Sequence, residues 1–282
     1  MSKYLKMFMV MTLGLMLSFA LVGCGSSETA DAPKGDAPAV EENMTKLEEI
    51  KAKGQLVLGT SADYPPYEFH KLIDGEDKIV GFDIDIAKKV AEGLGVELVI
   101  KDMKFDGLLG ALKANKIDMV AAGMTPTDER KESVDFTQVY YDAHSTIIIR
   151  DEDKDKYKDV ADFDGVKVGY QKGSIQEEIF NSQFTNSEAI GLNKLTDLIM
   201  SLKSGKIEGV IIAETVANSY VKVNTDLQFT GVDFGSEGGV AIAFEKGNED
   251  LVKAVDEILT VLIEDGSIDN FVVEAMKLAE EE

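Results

Sequence analysis

The sequence of 282 residues predicts an α/β fold whose sheets are covered by helices on both faces. Three observations lead there. From Met44 onward, apolar runs of strand length alternate with segments of helical spacing, the pattern of parallel sheets with helical connections. Hydrophobic residues make up 44% of the chain, enough to core one large or two small domains. The three prolines beyond Met44 are Pro65, Pro66 and Pro126, and all fall in loops just after apolar strands.

The elements follow in order. Leu56 to Thr60 reads as a buried strand. Ile84, Ala87, Val90, Ala91 and Leu94 keep helical spacing. Val96, Leu98 and Ile100 alternate like a strand. Leu108 to Lys113 is helical and Ile117 to Ala122 a strand. Later strands are expected over 145–149, 167–170, 209–212 and 239–244. Helices are expected over 174–180, 194–202, 214–221, 248–264 and 268–278. In such sheets ligands sit outside the carboxyl ends of the strands. The stretches after Thr60, Ala122, Tyr170 and Ile212 are therefore the places to look.

Before Met44 the chain reads differently. Met1 to Lys6 carries two lysines, and Met7 to Val22 is uncharged and mostly apolar. That run is shorter than the ~20 residues of a comfortable membrane span, so residues 1–23 read as an export signal. Leu21-Val-Gly-Cys24 resembles the bacterial lipobox, in which the cysteine is lipidated and becomes the first mature residue. Cys24 is the only cysteine, which rules out an internal disulfide or a thiolate metal cluster. Residues 24–43 are small, polar and acidic, with Pro33 and Pro38, and read as a flexible tether.

The formal charge is −23; without Lys3 and Lys6 of the signal, 27 basic residues stand against 52 acidic, or −25. A surface that acidic repels phosphate backbones, so nucleic acid is not an expected partner. No Gly-x-x-x-x-Gly-Lys-Ser/Thr loop and no Gly-x-Ser-x-Gly elbow occurs, and Gly93-Leu94-Gly95 ends a helix rather than opening one. His70 and His144 lie far apart. Asp151-x-Asp153-x-Asp155 starts like a calcium loop, but Lys156 stands where glycine is needed and Asp162 where glutamate is needed. It reads as a solvated charged loop. No metal or cofactor is expected.

What remains is a binding constellation. Gly123, Thr125 and the amides that follow the strand offer donors and acceptors. Pro126 and Thr127 suit a helix start, and Asp128 and Glu129 its first turn. Arg130 offers a planar fork matched to a carboxylate. The competing reading pairs Arg130 with Glu129, Asp135 or another surface acid. Tyr64 and Phe105 sit at two other strand ends. They read either as packing or, with Arg130, as an apolar slot clamped at one end.

These residues resemble the polar amino-acid family of bacterial solute-binding proteins, family 3, which serves ATP-driven importers. The resemblance rests on Gly81-Phe-Asp-Ile-Asp-Ile-Ala-Lys-Lys-Val-Ala-Glu-Gly-Leu94, on Thr60-Ser-Ala-Asp-Tyr-Pro-Pro-Tyr-Glu-Phe69, on Ala122-Gly-Met-Thr-Pro-Thr-Asp-Glu-Arg130 and on Val134-Asp-Phe-Thr-Gln-Val-Tyr-Tyr141. It covers the chain from about Leu47 to its C-terminus. It implies a two-lobed, periplasmic-binding-protein-like (type II) fold with two crossover hinge strands. Lobe 1 would hold 44–141 and 239–282, lobe 2 would hold 145–236, and the hinge would lie near 142–144 and 237–238.

The resemblance also implies roles. Arg130 would hold an α-carboxylate, helped by Thr125 and by the amide of Ile175 in the loop Gln171-Lys-Gly-Ser174-Ile175. Gly123, next to Ala122, would offer its carbonyl to the α-ammonium, and Tyr64 and Phe105 would sandwich the side chain. Two positions depart from the family. Its ammonium-binding aspartate falls on Ala213, with an acid one residue later at Glu214, expected either to swing in or only to cap its helix. Relatives that prefer cationic side chains often carry an acid where this chain has Ser61, which leaves side-chain preference open.

The expected function is a monomeric extracytoplasmic lipoprotein that clamps a free amino acid and delivers it to ABC permease subunits. The alternatives are a cleft enzyme like cyclohexadienyl dehydratase, with Asp63, Glu68 or Glu214 as acid or base, and a ligand-sensing module.

Overall fold

The computed structural model describes residues 44–281. The export signal, Cys24 and the tether lie outside the described residues.

The first element, α1 (Lys46–Lys53), has no counterpart in the strand–helix reading. Its signal is a capping box. Thr45 Oγ1 accepts from the Glu48 amide at 3.3 Å, and Glu48 Oε2 accepts from the Thr45 amide at 2.9 Å. Then come β1 (Gln55–Thr60), β2 (Asp63–Tyr64), β3 (Glu68–Ile73), β4 (Glu76–Val80), α2 (Phe82–Leu94), β5 (Glu97–Asp102), α3 (Leu108–Lys113), β6 (Met119–Val120), α4 (Asp128–Ser133) and β7 (Val134–Phe136). The chain crosses over into β8 (His144–Arg150), β9 (Lys167–Gln171), α5 (Ile175–Gln183), β10 (Glu188–Leu192), α6 (Leu195–Lys203), β11 (Gly209–Ala213), α7 (Glu214–Val223) and β12 (Leu227–Ser236). It crosses back into β13 (Ala243–Glu245), α8 (Glu249–Glu264) and α9 (Ser267–Glu280).

Two five-stranded sheets organise two lobes. The first runs β5-β1-β6-β13-β7 and the second β10-β9-β11-β8-β12. The expectation of parallel sheets is corrected, because both are mixed. β13 lies antiparallel to β6 and β7, and β8 lies antiparallel to β11 and β12. The cause is connectivity. β8 and β13 are entered from a crossover rather than from a covering helix, so the right-handed strand–helix–strand rule does not set their direction.

The crossovers pair with each other. Tyr141 bridges Val240, and the Glu237 amide donates to the Ala143 carbonyl at 2.8 Å. A small third sheet, β2-β3-β4, extends from the first lobe. Its β3–β4 hairpin turns on Asp74 and Gly75, at φ 56° and 80°, the left-handed pair that a two-residue Asp-Gly turn requires.

Helix α2 shows why the Gly-Phe-Asp pattern matters. A Cβ on Gly81, at φ 129°, would lie 2.1 Å from the Tyr67 carbonyl oxygen. The bare backbone instead lets Phe82 and Asp83 donate to the carbonyls of Pro66 and Tyr67, each at 3.0 Å. The start of α2 is thereby pressed against the loop that follows β1. Phe82, Ile84, Ile86, Val90 and Leu94 then enter a core with Leu251, Val255 and Leu259 of α8 and Val272 of α9.

Candidate functional site

The carboxyl ends of β1, β6 and β9 face one another across the lobes. Between them lies a small cavity. Lobe 1 contributes Ser61 and Tyr64 after β1, Glu68 from β3, Phe105 before α3, Ala122, Gly123 and Thr125 after β6, and Arg130 from α4. Lobe 2 contributes Gln171, Ser174, Ile175 and Gln176, and the second crossover adds Glu237.

Arg130 is placed by its own helix. Thr127 is the N-cap of α4, its Oγ1 accepting from the Arg130 amide at 3.3 Å. The side chain folds back so that Nη1 donates to the Thr125 carbonyl at 2.6 Å and Nη2 to the Gly173 carbonyl, in the other lobe, at 2.8 Å. Its Cζ lies 5.7 Å from the centroid of the Phe105 ring, within cation–π range. Among the described residues no carboxylate comes within 4.0 Å of the guanidinium. Asp135 pairs with Lys246 at 2.6 Å and Glu129 is exposed. The surface ion pair is thus set aside. Burial holds the Arg130 pKa below its usual value, with Glu178, Glu129 and Glu237 opposing.

The same end of the cavity meets the start of α5. The Ser174 hydroxyl donates to the Gln171 carbonyl at 2.7 Å and does not cap the helix. The first amides of α5, beginning at Ile175, are left without a side-chain cap, and a helix start of this kind favours an anion.

Asp83 fixes the strand end opposite. Its carboxylate accepts from the Gly123 amide at 2.8 Å and from the Tyr140 hydroxyl at 2.7 Å. Burial raises its pKa to about 6, with those two bonds opposing.

Two acids in the wall were not read from the sequence as ligand contacts. Glu68 is 0% exposed. Neither of its carboxylate oxygens, nor the Thr125 hydroxyl, has a hydrogen-bond partner among the described residues. Burial pushes the Glu68 carboxyl well above the usual carboxylate range, and Asp83, Asp63 and Asp102 push it further. Its sequence signal was an acid between two aromatics, Tyr67 and Phe69, both of which are buried. Glu237 accepts from the Ser145 hydroxyl and from Gln176 Nε2, the latter at 3.1 Å. Burial raises its pKa, with Ser145 and Gln176 opposing. It stands in a glycine-rich crossover with no pattern to mark it.

The expectation for Glu214 is corrected. Ala213 ends β11 buried against Ser145, and Glu214 is the exposed first residue of α7, outside the cavity wall. A helix beginning right after the strand end turns that side chain outward. The Asp151–Asp155 loop is also more than a solvated run. Asp153 is buried, paired with Arg150 at 2.6 Å and with Lys156 at 2.5 Å.

Known proteins share this fold. Residues 56–274 match the family model described as bacterial extracellular solute-binding proteins, family 3. The arginine-binding extracellular protein ArtP of Bacillus subtilis is 37% identical over 250 residues, covering 87% of this chain and 88% of ArtP. The crystal structure of AbpA from Streptococcus pneumoniae, an amino-acid ABC transporter substrate-binding protein bound to L-arginine, superposes with a TM-score of 0.81 at 38% identity, over 83% of this chain and all of that one. The ancestral amino-acid-binding protein AncCDT-1, a precursor of cyclohexadienyl dehydratase, superposes with a TM-score of 0.76 at 32% identity, over 82% of this chain and 100% of its own. With its two lobes, its Gly81–Leu94 helix and its Arg130 in the first turn of α4, this chain belongs to the bacterial extracellular solute-binding proteins, family 3.

Proposed function

We propose that this protein is the lipid-anchored, extracytoplasmic receptor of an amino-acid ABC importer, and that its ligand is a cationic L-amino acid of the arginine type. One observation carries the choice of ligand. The cavity wall holds one guanidinium, Arg130, and two carboxyl groups, Glu68 and Glu237. When ionised they complement a ligand with one negative and two positive centres. A zwitterion with a neutral side chain supplies only one positive centre for the two acids.

Tyr64 and Phe105 supply apolar faces for the stem of a long cationic side chain. The Arg130 bond to Gly173 and the start of α5 suit the ligand's carboxylate, since both lobes meet there. The lobes, 44–141 with 239–282 and 145–236, close on the ligand about a hinge at 142–144 and 237–238, and the closed form is what the permease engages. Lipidation at Cys24 tethers the receptor to the membrane. The arginine named for ArtP and AbpA agrees with this charge pattern.

The test is thermal stability of the form beginning at Met44, refolded to strip carried ligand, with each amino acid in turn. A ligand at a hundred times its dissociation constant adds about 2.7 kcal/mol. Arginine is expected to raise the melting temperature and glutamate to leave it unchanged. A shift with neutral amino acids and none with cationic ones rejects the ligand assignment. Turnover of a prephenate-like acid would instead revive the enzyme reading that the kinship with AncCDT-1 keeps in view. Incorporation of labelled fatty acid, lost in Cys24→Ser, tests the anchor.

A further inference from the structure

The two acids of the cavity wall have different neighbours, and the neighbours separate their tasks. In an α-amino acid the ammonium nitrogen and the carboxylate carbon are both bonded to Cα, about 2.5 Å apart. Whatever holds the ammonium must therefore stand beside the group that holds the carboxylate.

Glu237 meets that condition. Its carboxylate accepts from Gln176 Nε2 at 3.1 Å, and Gln176 follows Ile175 at the start of α5, the anion-favouring end of the cavity. It also acts electrostatically on Arg130. Glu68 does not meet it. Glu68 sits on β3 of lobe 1, and neither of its carboxylate oxygens has a hydrogen-bond partner among the described residues, at the start of α5 or elsewhere.

The remaining acids nearby are committed or turned away. Asp63 accepts from the Leu195 amide at 2.6 Å, Asp83 from Gly123 and Tyr140, and Glu214 is exposed. Ala213 has no polar side chain to offer.

We infer that Glu237, carried on the second crossover, holds the α-ammonium of the ligand, and that Glu68 is left for the side-chain cation. This rests on the reading of the ligand as a cationic amino acid. The assignment has a consequence for motion. Glu237 donates its own amide to the Ala143 carbonyl in the first crossover, at 2.8 Å, and Gly239 two residues on adopts φ 78°. The ammonium is thus gripped by the segment about which the lobes rotate.

The experiment uses the full chain and its Glu237→Gln and Glu68→Gln variants. Glutamine keeps an acceptor oxygen for Ser145 and Gln176 and removes only the charge. Each is titrated calorimetrically with L-arginine and with 5-guanidinopentanoate, which has the same carboxylate and guanidinium but no α-ammonium. The expected result for Glu237→Gln is a loss of at least about 30-fold for arginine, with 5-guanidinopentanoate within about 3-fold of its wild-type affinity. Glu68→Gln is expected to weaken both ligands. Equal arginine binding by wild type and Glu237→Gln, or an equal loss of both ligands, overturns the inference. Failure of the wild type to bind arginine overturns instead the ligand reading on which it rests. If Glu237→Gln does not melt cooperatively, Glu237→Asp is read in its place. It keeps the charge at a shorter reach, so arginine should weaken selectively, and an unchanged preference for arginine over 5-guanidinopentanoate rejects the assignment.

Discussion

The carboxylate of Asp63 accepts a hydrogen bond from the backbone amide of Leu195 at 2.6 Å, joining β2 in one lobe to the first residue of α6 in the other. The Tyr220 hydroxyl, from α7, donates to the Asp63 carbonyl at 3.1 Å. Both bonds join the two lobes, and neither Leu195 nor Tyr220 lines the cavity, so they should favour closure without touching the ligand. Asp63→Ala is expected to weaken arginine binding by about 10-fold, or ~1.4 kcal/mol, the size of a bond to a charged group. Small-angle scattering should show more of the open form in this variant. An unchanged affinity together with an unchanged radius of gyration would falsify the latch.

Arg130 uses two donors of a planar fork on two carbonyls in different lobes. A lysine keeps the charge but loses the fork. Arg130→Lys is predicted to cost roughly 2 kcal/mol of ligand affinity, and Arg130→Ala roughly 3 or more, consistent with truncation of one partner of a buried charge pair. Calorimetry decides the matter. Equal affinity for the lysine variant would mean that charge alone is recognised.

Gly81 and Gly54 make a matched pair for the close approach at α2. Both have positive φ, but a Cβ on Gly54 meets nothing within 4 Å, whereas one on Gly81 strikes the Tyr67 carbonyl oxygen at 2.1 Å. Gly54→Ala should cost about 1 kcal/mol, the penalty of the left-handed backbone alone. Gly81→Ala should cost about 3 kcal/mol or more, because backbone must move. Urea midpoints measure both. Equal losses would remove the packing account of the Gly-Phe-Asp pattern.

Buried acids give the fold a defined pH response. Asp83 has a pKa of about 6 in the folded state, against about 3.9 in an unfolded chain. Between those values the folded protein holds a proton that the unfolded chain has released. The contribution is therefore fully present below pH 4 and is lost as pH rises through 6, a change of up to about 3 kcal/mol. Measured as a difference from Asp83→Asn, wild-type stability should fall by that order between pH 4 and 7. A flat difference would show that Asp83 is not shifted. Glu68 is raised as well, by burial first, so the same sign holds there. A cationic side chain beside it favours the ionised form. Arginine binding should release protons and tighten as pH rises, as calorimetry in buffers of different ionisation enthalpy will register.

The alternation of strand and helix, the cap at Thr127 and the clustering of chemistry at strand ends were all legible in the chain, because each depends on neighbours a few residues apart. Some local signals were present but went unread. The Asp74-Gly75 turn and the Thr45–Glu48 capping box each spell out their element. β12 is harder to see, since its pairing with β8 shifts register twice between Phe229 and Ser236.

By itself, then, the sequence determined most of the alternating strands and helices, the glycine that α2 requires and an arginine in the helix that follows β6. The tertiary structure alone decided strand direction in β8 and β13, the exposure of Glu214 and the meeting of Glu68 with Glu237. Those two acids come from a hairpin strand and from a crossover, and no local pattern links them. Only the folding of one lobe against the other brings them to a common wall, where loss of water makes their charges matter to a ligand.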